Sequence, residues 1–384
     1  MSLDPETFSQ VKDTVSRFVR EKLIPAEDIV EESNEVPESI IQDMRDLGLF
    51  GLSIPEEYGG LGLNMSQECE VIHELCQASL SFRSVIGTTV GIGSQGLVMT
   101  GTEEQKQEYL PRLATGEISS SFCLTEPDAG SDAASLRTVA VRDGDSYVLN
   151  GTKRFITNAL RAGMLTVMAR TDPDKKGASG ISAFLVDPKT PGVTIAKADA
   201  KMGQRGTQTS DIIFEDVRIP ASALMGEKEG QGFYTAMRVL DRGRLHLSSV
   251  STGISERIIH EALTYASERK QFGQVIGEFQ LVQAMLADSQ ADLFAGKAMT
   301  MDAAARFDAG EEIPMLAACC KMFTTEAAGR IADKAVQIHG GAGYMSEYKV
   351  ERFYRDVRLL RLYEGTTQIQ QLVIARNMLK NVGN

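Results

Sequence analysis

The chain contains no tryptophan, and aromatic residues make up only 6% of its 384 positions. Its four histidines, His73, His246, His260 and His339, show no spacing to cysteine or carboxylate residues that would build a metal centre, so no metal is expected. The five cysteines, Cys69, Cys76, Cys123, Cys319 and Cys320, are odd in number and lack both zinc-ligand spacing and the framework of a secreted disulfide protein. They read as reduced, buried thiols, with Cys319-Cys320 serving helix packing rather than redox chemistry. No apolar run approaches the ~20 residues needed to cross a bilayer. The stretch Met1-Ser2-Leu3-Asp4-Pro5-Glu6 lacks the basic and apolar regions of a secretory leader. A cytoplasmic protein is expected, and an organellar form already freed of its transit peptide would look the same. Positive charge is also in deficit: 40 basic against 52 acidic residues give a net charge of −12. That balance argues against nucleic acid or an anionic membrane surface as the main partner. An anionic small ligand must instead meet a local cluster of Arg or Lys. Serine-hydrolase, kinase and P-loop signatures are missing as well.

What is present is an ordinary globular composition, 42% hydrophobic and 24% charged, on a chain long enough for two or three domains. Residues 1–117 read as helical. Asp4 can cap a helix with Pro5 at its first position, and Phe8, Val11, Val15, Phe18 and Val19 form one apolar face. Further helical patterning covers residues 40–49 and 69–80, separated by the proline- and glycine-marked loop 54–62. Residues 118–228 change character. Short β-rich runs at 119–124, 146–149, 164–169, 181–186, 193–196 and 212–217 are separated by turn residues, which predicts a β-barrel or sandwich. Residues 229–384 return to long helices at 232–270, 280–309, 313–339 and 367–379, as in a four-helix bundle. The fold class expected is therefore α+β, multidomain and mostly α.

The most informative stretch is Arg361-Leu362-Tyr363-Glu364-Gly365-Thr366-Thr367-Gln368, between two apolar, helix-patterned runs. A Gly-Thr-Thr break lets the backbone turn and aim Glu364 inward, with Thr366 or Thr367 capping the next helix. A helix–loop–helix link with a solvated acid would read the same in isolation. The run Phe122 to Asp132 leaves a strand for a turn rich in hydroxyls and small residues, suited to phosphate or heterocycle contacts, or simply to a decorated loop. Phe155 and Thr157 stand two apart, on one side of a strand, where the ring can face a flavin and the hydroxyl can bond it; Phe155 can equally be core. Arg269 and Lys270 complement a helix C-terminus, and Arg269 is also suited to a pyrophosphate. The glycines after His339 follow a helix rather than a strand, which excludes a Rossmann site. They either end that helix or admit a nucleotide. Asp241-Arg242-Gly243-Arg244 reads as a solvated charge cluster on a helix.

Taken in order, the loop 54–62, Thr125-Glu126-Pro127, Phe155-Ile156-Thr157-Asn158, Arg269 to Gly273 with Phe279-Gln280, Gln337 to Gly341, and Tyr363 to Gln368 resemble the acyl-CoA dehydrogenase family over nearly the whole chain. The resemblance implies a homotetramer with one FAD per subunit and electron transfer to an electron-transferring flavoprotein. It implies that Phe122, Leu124, Thr125, Gly130, Ser131, Phe155, Ile156 and Thr157 line the flavin. Arg269, Phe272, Gln280, Gln337, Ile338, Gly340 and Gly341 would reach the cofactor of a neighbouring subunit, and Thr366 and Gln368 would complete the site. Ser131, Asp241, Arg244, Tyr363 and Gly365 would meet the acyl-CoA, with Glu364 as catalytic base.

The expected reaction is α,β-dehydrogenation to a trans-2-enoyl-CoA, with a desolvated Glu364 taking the α-proton as β-hydride moves to the flavin. Some branched-chain and long-chain members of the family carry their base at the helix position where this chain has Gly243, which leaves Glu364 as the candidate. Phe155 stands where many relatives have tryptophan. An oxygen-using acyl-CoA oxidase is the competing enzyme reading, though such chains are usually longer. A non-catalytic flavin-binding relative would have lost the base or the flavin contacts, and both are present. Gly87, Gly91, Gly93 and Gly96 are expected to leave room for a medium or branched acyl tail.

Overall fold

The computed structural model describes residues 3–175 and 177–382; Met1 and Ser2, which open the amino-terminal stretch read above, lie outside them. The amino-terminal part is built from α1 (Pro5–Phe18), α2 (Ile24–Ser33), α3 (Glu38–Asp46), α4 (Met65–Leu75), α5 (Leu80–Gly87), α6 (Gln95–Thr100) and α7 (Glu103–Ala114). Asp4 caps α1 by accepting from the N–H groups of Glu6 and Thr7, with Pro5 at the first turn. The helix expected over residues 69–80 divides in two. Ser79 begins α5 anew by accepting the N–H of Ser81, and an apolar run alone does not reveal that break.

The middle part is one curled sheet of β1 (Ser119–Cys123), β2 (Val139–Asp143), β3 (Ser146–Thr157), β4 (Ala162–Arg170), β5 (Ile181–Val186), β6 (Val193–Ile195) and β7 (Thr209–Pro220). Its order is β1-β4-β2-β3-β7-β6, with β5 on the other side of β4. Pairing is antiparallel except where β4 meets β1 and the end of β2. β2 is absent from the sequence reading; the turn Asp143-Gly144-Asp145 joins it to β3. Its charged outer residues blunt the strand signal.

The carboxy-terminal part holds α8 (Gly232–Glu268), a hairpin of β8 (Lys270–Gln271) and β9 (Gln274–Val275), α9 (Gln280–Asp308), α10 (Pro314–His339), α11 (Lys349–Val357) and α12 (Thr367–Val382). α10 packs on α8, α9 and α12, giving the bundle. Helix α8 stops two residues before the sequence reading placed its end, because Phe272 and Gly273 both take positive φ and fold the chain into a tight hairpin. A single apolar core runs from α1 to α5 into α8, α10 and α11, and a second joins α6 and α7 to the sheet and the start of α8. The N-terminal helices are thus clamped to both other parts, and no described helix is long and apolar enough to cross a membrane.

One buried acid ties the middle and carboxy-terminal parts together. Asp356 at the end of α11 accepts the backbone N–H of Gln204, whose side-chain amide donates to the Asp356 carbonyl at 3.1 Å. Burial pushes the Asp356 carboxyl up to about 7; Glu31 adds to the rise, while the Gln204 N–H, Arg355 and Arg352 oppose it. A pKa raised in the folded state means that the folded chain binds more protons than the unfolded one. Its stabilising contribution is therefore complete below about pH 4 and lost as pH rises through about 7. Thermal midpoints measured from pH 5 to 8 should fall with rising pH by about 2 °C per unit more in the wild type than in Asp356→Asn.

Candidate active site

A cavity of about 730 Å³ opens where α5, the sheet, α8 and the α11–α12 junction converge. Phe122, Leu124, Thr125, Gly130 and Ser131, from β1 and the loop after it, line one part. That loop is pinned from beneath by an acid the sequence reading did not assign. Glu126 accepts the N–H groups of Arg137 at 2.6 Å and Thr138 at 3.0 Å and pairs with the fully buried Lys153 at 2.7 Å. Burial alone would raise the Glu126 carboxyl, but Lys153 and the Thr138 and Arg137 donors outweigh it and hold it ionised below the usual range.

Phe155, Ile156 and Thr157 at the end of β3 also line the cavity. Phe155 and Thr157 do not share a face by simple strand alternation, however. The register with β7 shifts between Lys153 and Ile156, and Phe155 takes φ 58°. The bulge turns the Phe155 ring outward, 57% exposed, with the Arg154 guanidinium 4.9 Å from its centroid.

Glu364, Tyr363 and Gly365 border the same cavity. A 3-10 turn over Arg358–Arg361 ends α11, Glu364 takes φ 54° and Gly365 φ 89°, and Thr366 Oγ1 caps α12 by accepting the Ile369 N–H at 3.3 Å. Thr367 turns away and donates to Glu326 Oε1 at 2.7 Å. The kink is further held by Lys321 Nζ and Gln370 Nε2, which donate to the Gly365 carbonyl at 2.7 and 2.9 Å. Glu364 Oε2 is shut away from solvent and has no hydrogen-bond partner among the described residues. Burial raises the Glu364 carboxyl above its ordinary value, against the pull of Arg83, Lys321 and Arg244. The Lys321 ammonium in turn is pushed down to about 8 by burial.

Helix α8 passes close by at Gly243, where a Cβ would lie 2.7 Å from Glu364 Oε2 and 3.3 Å from Ile92 Cγ2. Arg242, Gly243 and Arg244 are buried and Asp241 is half-buried, not solvated as expected. Arg244 lines the cavity, and Asp241 stands behind it, paired at 2.5 Å. Arg83 on α5 and Lys321 on α10 were missed by the sequence reading. Each is a lone cation in an otherwise apolar or small-residue helical run, and that isolation was the available signal.

The remaining candidates lie elsewhere. Arg269, Phe272 and Gln280 sit at the exposed end of the bundle around the β8–β9 hairpin, with Phe272 94% exposed. Gln337, Gly340 and Gly341 are exposed at the end of α10, where Gly340 takes φ 60°, while Ile338 is buried. Gln368 points out from α12. Of the four glycines expected along the acyl tail, only Gly87 borders the cavity; a Cβ on Gly93 would meet Ser120 Oγ, and Gly96 packs near Met225. Those two glycines permit close packing rather than a wider cavity.

Comparison with known proteins gives matches along the length of the chain. Family models described as the acyl-CoA dehydrogenase N-terminal, middle and C-terminal domains match residues 5–117, 121–217 and 230–379. A curated relative, the caffeyl-CoA reductase–Etf complex subunit CarC of Acetobacterium woodii, is 42% identical over 378 residues, which covers 97% of this chain and 99% of that one. The solved butyryl-CoA dehydrogenase of Megasphaera elsdenii has a TM-score of 0.94 at 33% identity, covering 99% of this chain and 100% of its own. A glutaryl-CoA dehydrogenase of Mycobacterium smegmatis, solved in complex with FADH2, has a TM-score of 0.91 at 31% identity, covering 98% and 95%. The chain therefore belongs to the acyl-CoA dehydrogenase family of oxidoreductases.

Proposed function

We propose that this protein converts an acyl-CoA thioester to its trans-2-enoyl-CoA, with Glu364 as the base that takes the α-proton. The observation that carries the reading is the Glu364 carboxylate, which faces the cavity with Oε2 enclosed and unpartnered. A carboxylate stripped of water binds a proton more tightly, which the weak acidity of a carbon next to a thioester demands. Arg83, Lys321 and Arg244 temper that rise and keep the ionised form accessible. When the reaction runs toward the saturated thioester, the same carboxyl returns the proton to the α-carbon.

The cofactor is FAD, which when bound supplies the acceptor for the hydride that leaves the β-carbon. The residues present fit it. Phe122, Leu124, Phe155 and Ile156 offer an apolar surface for a planar ring, with the Thr125, Ser131 and Thr157 hydroxyls beside it. The large exposed face of Phe155 and the cavity next to it suit a stacked heterocycle. Electrons would pass to an electron-transferring flavoprotein, a reading supported by the Etf complex in which the Acetobacterium relative is a subunit.

The assembly would be a homotetramer in which Arg269, Gln280 and the residues 337–341 reach a neighbour's cofactor, a reading supported by the exposed Phe272, Leu281 and Phe294 on the bundle. A solution mass four times that of the chain is the expected result of light scattering.

Anaerobic titration of the flavin-loaded protein with acyl-CoAs should bleach its oxidised absorbance, with reoxidation faster by the partner flavoprotein than by air. Glu364→Gln should keep the flavin yet lower kcat by about 10²–10⁴-fold. An unaltered rate excludes Glu364 as the base. Because Glu364 must be ionised to accept a proton and its pKa is raised, kcat/KM should climb with pH through a value above the ordinary ~4.3. That limb should be absent from the residual activity of the glutamine variant. Gly243→Ala should displace the carboxylate and reduce kcat at least ~10-fold while leaving the flavin bound, since misplacing a reacting group by about 1 Å costs up to ~10²-fold.

A further inference from the structure

We infer that the segment 201–209 is a further wall of the flavin site, in which Lys201 is the cation that favours the reduced ring and the Thr207 hydroxyl is a hydrogen-bond partner for the cofactor. This deepens the dehydrogenase reading above and rests on the ring standing beside Thr157.

Lys201, Gln204, Thr207 and Thr209 line the cavity, and none of them is among the candidates read from the sequence. Thr209 opens β7 as the direct partner of Thr157 across the β3–β7 ladder, and the Asn158 N–H donates to the Gln208 carbonyl at 2.9 Å. The segment is therefore continuous with the part of the wall that carries Phe155 and Thr157. Thr207 is 6% exposed, and its Oγ1 has no hydrogen-bond partner among the described residues. Enclosing a hydroxyl that bonds to nothing is unfavourable, and a cofactor whose ring bears carbonyls and nitrogens supplies the missing partner. Lys201 is half-buried, and Nζ donates to the Thr207 carbonyl, its one acceptor among the described residues. The ion pairs around the loop, Arg205 with Glu31 and Arg355 with Glu31, do not include it. Asp199, two residues away, accepts the Thr209 hydroxyl at 2.9 Å instead. Burial lowers the Lys201 pKa against the opposing pull of Asp199 and Asp356, as expected of a cation without an anion in contact.

Helix α11 fixes the turn from which these groups reach the cavity. Gln204 takes φ 46°, a conformation that a non-glycine residue adopts only where its surroundings impose it, and Asp356 does so by accepting its N–H. Arg355 Nη1 donates to the Met202 carbonyl at 3.1 Å, and a Cβ on Gly203 would lie 2.7 Å from the Arg355 carbonyl oxygen. The charge held there has a chemical use. A neutral ring that accepts a hydride gains two electrons, one proton and one negative charge, and a cation in a poorly solvated wall favours that charge. The other cations on the wall are engaged elsewhere. Arg244 is paired with Asp241 at 2.5 Å, Arg83 and Arg244 both act on Glu364, and Arg376 is exposed on α12.

The test reads two quantities on the wild type, Lys201→Met, Lys201→Arg and Thr207→Val: the midpoint potential of the bound flavin, titrated anaerobically against a reference dye without acyl-CoA, and the dissociation constant of FAD. Lys201→Met should keep its flavin and shift the reduction equilibrium about tenfold toward the oxidised ring, a potential about 30 mV more negative for a two-electron couple. Lys201→Arg, which keeps the charge, should stay close to the wild type. Thr207→Val should weaken FAD binding about fivefold, the loss of one hydrogen bond. An unmoved potential in flavin-loaded Lys201→Met overturns the inference. So does an equal shift in Lys201→Met and Lys201→Arg, which would mark a disturbed loop and not a lost charge. Thr207→Val leaves the ties to α11 intact, so an unchanged FAD affinity there overturns the inference even if neither Lys201 variant folds. A wild type that retains no flavin defeats the dehydrogenase reading itself, whereas unaltered potentials and affinities in flavin-loaded variants defeat this wall alone.

Discussion

A carboxylate oxygen enclosed without a hydrogen-bond partner is the constraint around which this site is built. Leaving Glu364 Oε2 unsatisfied costs free energy that a solvated acid would not lose. The surrounding chain must therefore hold the residue where it would not settle by itself. It does so with a left-handed backbone at a non-glycine position, which costs on the order of 1–2 kcal/mol more. Desolvation and strain at one residue are tolerated only where neighbouring structure over-determines the conformation.

That over-determination can be traced residue by residue. Helix α10 reaches the kink twice, through Lys321 to the Gly365 carbonyl and through Glu326, which holds Arg361 before the kink and Thr367 after it. Helix α12 closes it from the other side, with Gln370 donating to the carbonyls of Glu364 and Gly365. Helix α8 contributes an absence, the missing Cβ at Gly243 that lets the carboxylate lie against it. Cations then set the electrostatics. Lys321 both fixes the backbone and draws the Glu364 pKa back down, so geometry and basicity are coupled through one side chain.

Much of this was legible in the sequence, for reasons that differ by element. The Gly365-Thr366 break announced the kink because glycine and a capping hydroxyl each have a local conformational meaning. The long apolar periodicities of α8, α9 and α10 made the bundle plain. The division between α4 and α5 was not readable, since an apolar run looks alike on either side of a short turn. The outward turn of Phe155 depends on a bulge against β7, a strand more than fifty residues away in sequence. Arg83, Lys321 and the burial of Arg242 to Arg244 escaped for the same reason: whether a charge is solvated or enclosed is decided by tertiary packing. The cofactor and the reaction class came from ordered motifs, whereas the environment of each charge required the structure.

Proton abstraction can be isolated from hydride loss with an acyl-CoA whose β-carbon is replaced by sulfur, followed by proton NMR in D2O. Because the Glu364 carboxylate is fixed on one side of the cavity, the wild type should exchange one of the two α-hydrogens and spare the other, while Glu364→Gln exchanges neither. Equal exchange by both proteins, or loss of both hydrogens without discrimination, would contradict the role assigned to that carboxylate.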